Sequence, residues 1–61
     1  MTMWFCEYSK DGILTLHMTF EADDDKGDAC SILEHIYGIF LYEILDLYKL
    51  HTSVEFYGEF L

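Results

Sequence analysis

The chain has 61 residues and a formal net charge of −9, from 12 acidic residues against 3 lysines. Its hydrophobic fraction of 52% and aromatic fraction of 18% exclude an acidic disordered tail, which would lack the side chains for a core. The excess of acids and the absence of arginine exclude direct binding to a nucleic-acid backbone. The length predicts a single domain, residues 1–61, with a small core.

The first part of the chain predicts a β-hairpin. Residues 13–22 alternate between apolar and polar side chains, which is typical of a strand with one buried face. An Asp-Gly pair in the predicted turn 9–12 favours a hairpin, because glycine accepts a positive φ without steric cost. Residues 3–8 are then the partner strand. The side chains of that strand that we expect to face the core are Trp4, Cys6 and Tyr8.

A long helix is predicted for the middle of the chain. Residues 23–30 read as an acidic loop, and Ser31 and Glu34 have the spacing of a capping box at a helix start. Asp28 is a competing cap three residues earlier. The predicted helix covers residues 31–50, with basic side chains suitably placed in its last turn.

The last segment, residues 52–60, alternates again and predicts a third strand. The predicted fold is therefore α+β with the order ββαβ: a three-stranded, mainly antiparallel sheet with one long helix packed on one face. We expect the strand order 2-1-3, because the third strand then runs antiparallel to the first.

The predicted helix carries more apolar surface than one small sheet covers. At about 100° per residue, its apolar side chains span an arc of about 200°, whereas a surface helix needs a stripe of only about 100°. We expect a second copy of the chain to bury the surplus, which makes the protein a homodimer. Glu43 falls inside this arc and is interpreted as a rim glutamate, a hydrogen-bond partner of a buried tyrosine, or a contact to a partner. The predicted dimer-interface residues are Tyr37, Leu41, Ile44 and Tyr48.

Metal, cofactor and catalytic chemistry are not predicted. Residues 23–34 have the length of a calcium-binding EF-hand loop, but Gly27 and Asp28 occupy its fifth and sixth positions in the wrong order. The cysteines and histidines form none of the close pairs that zinc sites use. The four glycines are isolated, so no phosphate-binding loop is present, and we expect no enzyme. The sequence shows no signal peptide and no bilayer span, so we expect a cytoplasmic location.

The distribution of acids suggests a binding surface. One interpretation is a solvated face that keeps an apolar domain soluble. The alternative is a surface whose carboxylates stand where nucleic-acid phosphates would, flanked by apolar anchors, and which binds a basic protein. The predicted partner-binding residues are Glu7, Glu21, Asp23, Asp24, Asp25, Asp28, Glu55, Tyr57 and Glu59.

In size, acidity, aromatic content and expected dimerisation, the chain resembles the small inhibitors that bacteriophages make against host enzymes and defence systems. Those that mimic DNA include phage inhibitors of uracil-DNA glycosylase. The resemblance is one of character over the whole chain, and the segment Met18 to Asp25 is a strand that runs into an acidic turn. This resemblance implies a non-enzymatic inhibitor that acts on a host protein with a basic surface, in the host cytoplasm. The alternative is a structural or adaptor dimer that binds a hydrophobic partner segment through its helix.

Overall fold

The computed structural model describes residues 1–50. They form an α+β structure in which three antiparallel strands make one sheet and a single α-helix packs on one of its faces. The helix is too short and too polar to cross a membrane. The elements in chain order are β1 (Thr2–Tyr8), β2 (Leu16–Ala22), α1 (Lys26–His35), a 3₁₀ turn (Leu41–Glu43) and β3 (Ile44–Lys49).

The sheet has the order β2-β1-β3, so the first strand is central. β1 pairs with β2 in one unbroken antiparallel register in which Trp4 lies opposite Phe20. It pairs with β3 so that Cys6 lies opposite Leu47, and the register shifts between Glu7 and Tyr8. The strand order is the one predicted, but β3 is a different segment from the predicted third strand. The predicted strand 52–60 lies outside the described residues.

The core lies between the sheet and α1. As predicted, Trp4 and Cys6 of β1 are buried on this side, while Tyr8 is only half-buried against the core. The indole of Trp4 also donates a hydrogen bond of 3.1 Å to the Asp23 carbonyl, so the loop after β2 closes one end of the core. The buried hydrophobic residues are Trp4, Cys6, Phe20, Ala22, Ala29, Leu33, Ile39 and Leu47.

The connection between β1 and β2 is longer than the predicted turn 9–12, because β2 begins at Leu16 and not at residue 13. One carboxylate oxygen of Asp11 accepts hydrogen bonds from the amides of Ile13 and Leu14, at 2.8 and 2.9 Å. Gly12 has a φ of +77°, which is the positive value that the Asp-Gly pair predicts. The carboxylate thus organises an irregular loop in place of a tight hairpin turn.

The helix begins earlier than predicted. Asp25 is its N-cap, and the side chain of Asp25 accepts a hydrogen bond of 3.2 Å from the amide of Asp28. The acidic loop therefore consists of residues 23–25 and not 23–30, and the capping box predicted at Ser31 is wrong, since Ser31 lies inside α1. Aspartate is one of the strongest N-cap residues, and its charge is also favoured at the positive end of the helix dipole.

The helix also ends much earlier than predicted, so the prediction of a helix over residues 31–50 is wrong. It stops at His35, and Gly38 then takes a φ of +68°, a conformation that favours glycine and ends helices. After Gly38 the amide of Ile39 bonds back to the carbonyl of Leu33, which turns the chain toward the sheet. The continuous apolar arc that supported dimerisation therefore does not exist.

The four predicted dimer-interface residues do not share a helix face. Tyr37 follows α1, Leu41 opens the 3₁₀ turn, and Ile44 and Tyr48 belong to β3. Ile44 packs against the core, whereas Tyr37, Leu41 and Tyr48 are exposed. Apolar surface thus remains uncovered, but it is spread over a turn and a strand.

Candidate functional site

The side of the sheet away from α1, which we call the outer face, carries most of the polar side chains of the strands. Cross-strand partners in an antiparallel sheet point to the same side, so the register defines this face in rows. One row reads Asp46, Glu7, His17, and the next reads Tyr48, Phe5, Thr19. Within the described part of the chain, the strand residues of the outer face are Met3, Phe5, Glu7, His17, Thr19, Glu21, Asp46 and Tyr48.

Aromatic rings stack across the middle of the outer face. The ring of Phe5 lies 5.0 Å from that of Tyr48 and 5.5 Å from that of His17, measured between centroids, with interplanar angles of 30° and 29°. These three side chains come from three different strands. Such cross-strand aromatic pairs stabilise a sheet, and the exposed Tyr48 ring also leaves apolar surface for a ligand.

Two carboxylates face each other in the neighbouring row. Glu7 of β1 is the direct cross-strand partner of Asp46 of β3. One oxygen of Glu7 lies 2.9 Å from Nε2 of His17, and one oxygen of Asp46 accepts a hydrogen bond of 3.0 Å from the amide of Leu47. Like charges directly opposite each other destabilise a sheet. The pair is therefore an arrangement that a cationic ligand would relieve.

The lysines do not compensate the outer face. Lys49 pairs in register with the buried Trp4, so it points to the helix side, where its ammonium lies 2.8 Å from Asp24. Lys10 lies in the β1–β2 loop and Lys26 opens α1. Because the chain has three lysines and no arginine, the acidic and basic side chains on the strand positions of this face within residues 1–50 are three carboxylates and one histidine.

Three of the aspartates after β2 make side-chain contacts near the start of α1 and the helix side of β3. Asp25 caps α1, and Asp28 accepts a hydrogen bond of 2.9 Å from the amide of Asp23. Asp24 pairs with Lys49. These three side chains are therefore not brought together with Glu7 and Glu21 on one surface.

Glu43 is 8% exposed and is held by two donors. Lys10 Nζ and the amide of Phe40 both donate to the same oxygen of Glu43, each at 2.9 Å. The hydrogen bond from Lys10, and then that from the Phe40 amide, hold the pKa of Glu43 below its ordinary value. Lys10 also donates to the Gly38 carbonyl. Glu43 therefore ties the β1–β2 loop to the segment before β3, which is none of the three roles considered for it from the sequence.

Cys6 is not an activated nucleophile. Cys6 is fully buried, and this burial, reinforced by the neighbouring Cys30 and Asp46, raises the pKa of its thiol. A protonated, buried thiol is a poor nucleophile and a poor metal ligand. Among residues 1–50, no cluster of three or more histidine, cysteine or acidic side chains has the arrangement of a metal site.

Of the nine predicted partner-binding residues, the structure places Glu7 and Glu21 on the outer face and engages Asp24, Asp25 and Asp28 in contacts elsewhere. Asp23 is exposed and directly follows the end of β2. Glu55, Tyr57 and Glu59 lie outside the described residues. Asp46 and Tyr48 join the site instead, because the segment assigned to a helix is β3. The signal that pointed to them is the alternation of Asp46 and Tyr48 with the buried Leu47.

Comparison of the chain with protein-family models, with curated proteins and with solved structures gives no match. The geometry and electrostatics of the outer face are therefore the features from which a function can be inferred.

Proposed function

We propose that the protein is a non-enzymatic inhibitor that binds a basic surface of a host nucleic-acid enzyme or anti-phage defence protein. The outer face is the binding surface. The observation that carries the proposal is the juxtaposition of Glu7 and Asp46 beside the Phe5–Tyr48 ring pair, on a face whose strand positions hold no lysine. Carboxylates on a rigid sheet attract a basic groove, and aromatic side chains beside them supply the apolar contact area of an interface.

The experiment that tests this function is capture of a partner from a lysate of the native host by the immobilised chain. We expect a basic protein that is released as salt rises and that duplex DNA displaces, because both effects follow from an electrostatic contact to a nucleic-acid site. The variant E7Q/E21Q/D46N is expected to lose the captured protein.

The matched control is D23N/D24N/E34Q, which changes the net charge equally but leaves the outer face intact. We expect it to retain the partner. Capture that withstands high salt, or that E7Q/E21Q/D46N leaves unchanged, would refute the proposed function.

A second candidate function is a structural or adaptor dimer that binds a hydrophobic segment. It is favoured by the exposure of apolar side chains between α1 and β3, where Leu41 is 74% and Tyr42 is 85% exposed. This function predicts that L41S/Y42S lowers the sedimentation coefficient from that of a dimer to that of a monomer. A wild-type chain that sediments as a monomer at high micromolar concentration would contradict the dimer.

A further inference from the structure

The row of carboxylates and the row of rings on the outer face are adjacent, so together they define a small site. On β1, Glu7 lies two residues after Phe5 and therefore on the same side of the strand, before the register shift. On β3, Asp46 lies two residues before Tyr48, also on one side. Two aromatic rings therefore lie beside two carboxylates on neighbouring strands. We call these four residues, Phe5, Glu7, Asp46 and Tyr48, the ring–carboxylate site.

One oxygen of each carboxylate in this site already makes a contact within the protein. Glu7 Oε2 lies against His17, and Asp46 Oδ1 accepts the hydrogen bond from the Leu47 amide. These contacts fix the orientation of both carboxylates, and the second oxygen of each is the one that a ligand would use. A ligand with several donors in one plane fits two such oxygens better than a point charge does.

The chemistry of the site discriminates between cations. An arginine guanidinium is planar, stacks on aromatic rings and donates through a rigid fork of N–H groups, whereas a lysine ammonium is compact and strongly hydrated. Charge complementarity to the facing carboxylates requires a cation, and the stacked rings favour the planar one. We infer that the ring–carboxylate site binds an arginine side chain of the partner, an inference that rests on the proposed function.

The test is a titration of the full chain, followed by NMR, with the acetylated and amidated peptide Gly-Arg-Gly-Arg-Gly. Parallel titrations use the same peptide with lysine or with citrulline, the neutral isostere of arginine, in place of arginine. The arginine peptide is expected to shift the signals of Glu7, Asp46 and Tyr48 and to bind about two- to fivefold more tightly than the lysine peptide. The citrulline peptide, which lacks the charge, is expected not to bind.

Two variants assign the contacts within the site. Y48L is expected to weaken binding of the arginine peptide by about two- to fivefold while leaving the lysine peptide nearly unaffected, since it removes a π-face and keeps an apolar side chain. D46N is expected to weaken both peptides. The matched control Y42L alters a more exposed tyrosine away from the outer face and should leave both affinities unchanged.

The inference is overturned if the arginine and lysine peptides bind equally, if Y48L binds like the wild-type chain, or if neither peptide binds at millimolar concentration. It is also overturned if the Tyr48 signals shift with chain concentration alone, because a second copy then covers the site. None of these results decides the proposed function. Loss of the captured host protein in E7Q/E21Q/D46N tests that function separately.

Discussion

Neutralising Asp46 is expected to stabilise the free protein. Asp46 faces Glu7 directly across the β1–β3 pair, so the substitution D46N removes a repulsion between two carboxylates. Asparagine keeps a side-chain oxygen at the same position and can still accept the hydrogen bond from the Leu47 amide. The substitution therefore changes the charge and preserves the local geometry.

The size of the effect follows from the cross-strand spacing. Cβ atoms of residues directly opposite each other lie up to about 5.5 Å apart, and two unit charges at about that separation in water repel by about 0.8 kcal/mol, which screening at physiological salt reduces by about half. D46N should therefore raise the free energy of unfolding by about 0.4–0.8 kcal/mol. For a domain of this size, that corresponds to a rise in Tm of about 2–6 °C.

Thermal unfolding followed by circular dichroism at low salt and in 1 M NaCl measures this effect. The control is E21Q, which removes the same charge from the outer face at a position opposite Met3 and not opposite an acid. A lower Tm for D46N, an equal rise for E21Q, or a gain that survives 1 M NaCl, where the screening length is only about 3 Å, would contradict this prediction. Because D46N also weakens the arginine site, stability and binding are expected to change in opposite directions.

Two further predictions concern the interior. Because the pKa of Glu43 is lowered in the folded protein, its ion pair with Lys10 stabilises the fold fully above about pH 4.3, and this stabilisation is lost as the pH falls through the lowered pKa. The urea midpoint of the wild type should therefore drop more steeply below pH 4 than that of E43Q. Equal slopes for the two proteins would contradict this prediction. Leu33 is 0% exposed, so L33A should lower the free energy of unfolding, measured with urea, by about 2–5 kcal/mol. L41A, at an exposed position, should change it by no more than about 0.5 kcal/mol. Similar losses in the two variants would contradict the described core.

The sequence was sufficient to predict the first two strands and their inner sides. Alternation in β1 and β2 is a local signal, and it correctly predicts that Trp4 and Cys6 lie in the core. It overextended β2 because alternation continues into residues 13–15, where the Asp11 carboxylate binds the amides of Ile13 and Leu14 and makes a loop. Side-chain capture of backbone amides overrides an apolar pattern there.

The segment after α1 was misassigned because a dense apolar run fits both a helix and a strand. Residues 39–50 offer apolar side chains at helical spacing, and the competing alternation around Leu47 is only a few residues long. Gly38 was the local stop signal. The decisive interaction is non-local, since β3 forms by pairing with β1 about 40 residues earlier in the chain. The outer face depends on that pairing, so the sequence pattern alone predicts only part of it.

Because β1 is the central strand, the sheet is complete only when β3, the last of the three strands to be made, has paired with it. The ribosome makes β1 first, then β2, and reaches the end of β3 about one to five seconds later at ordinary rates of synthesis. Until β3 has paired, one edge of β1 has no neighbour and the Cys6 side of the hairpin lacks Leu47. A chain in which β3 has not yet paired therefore presents an open edge of β1, and that edge is where misassociation with another chain is expected to begin.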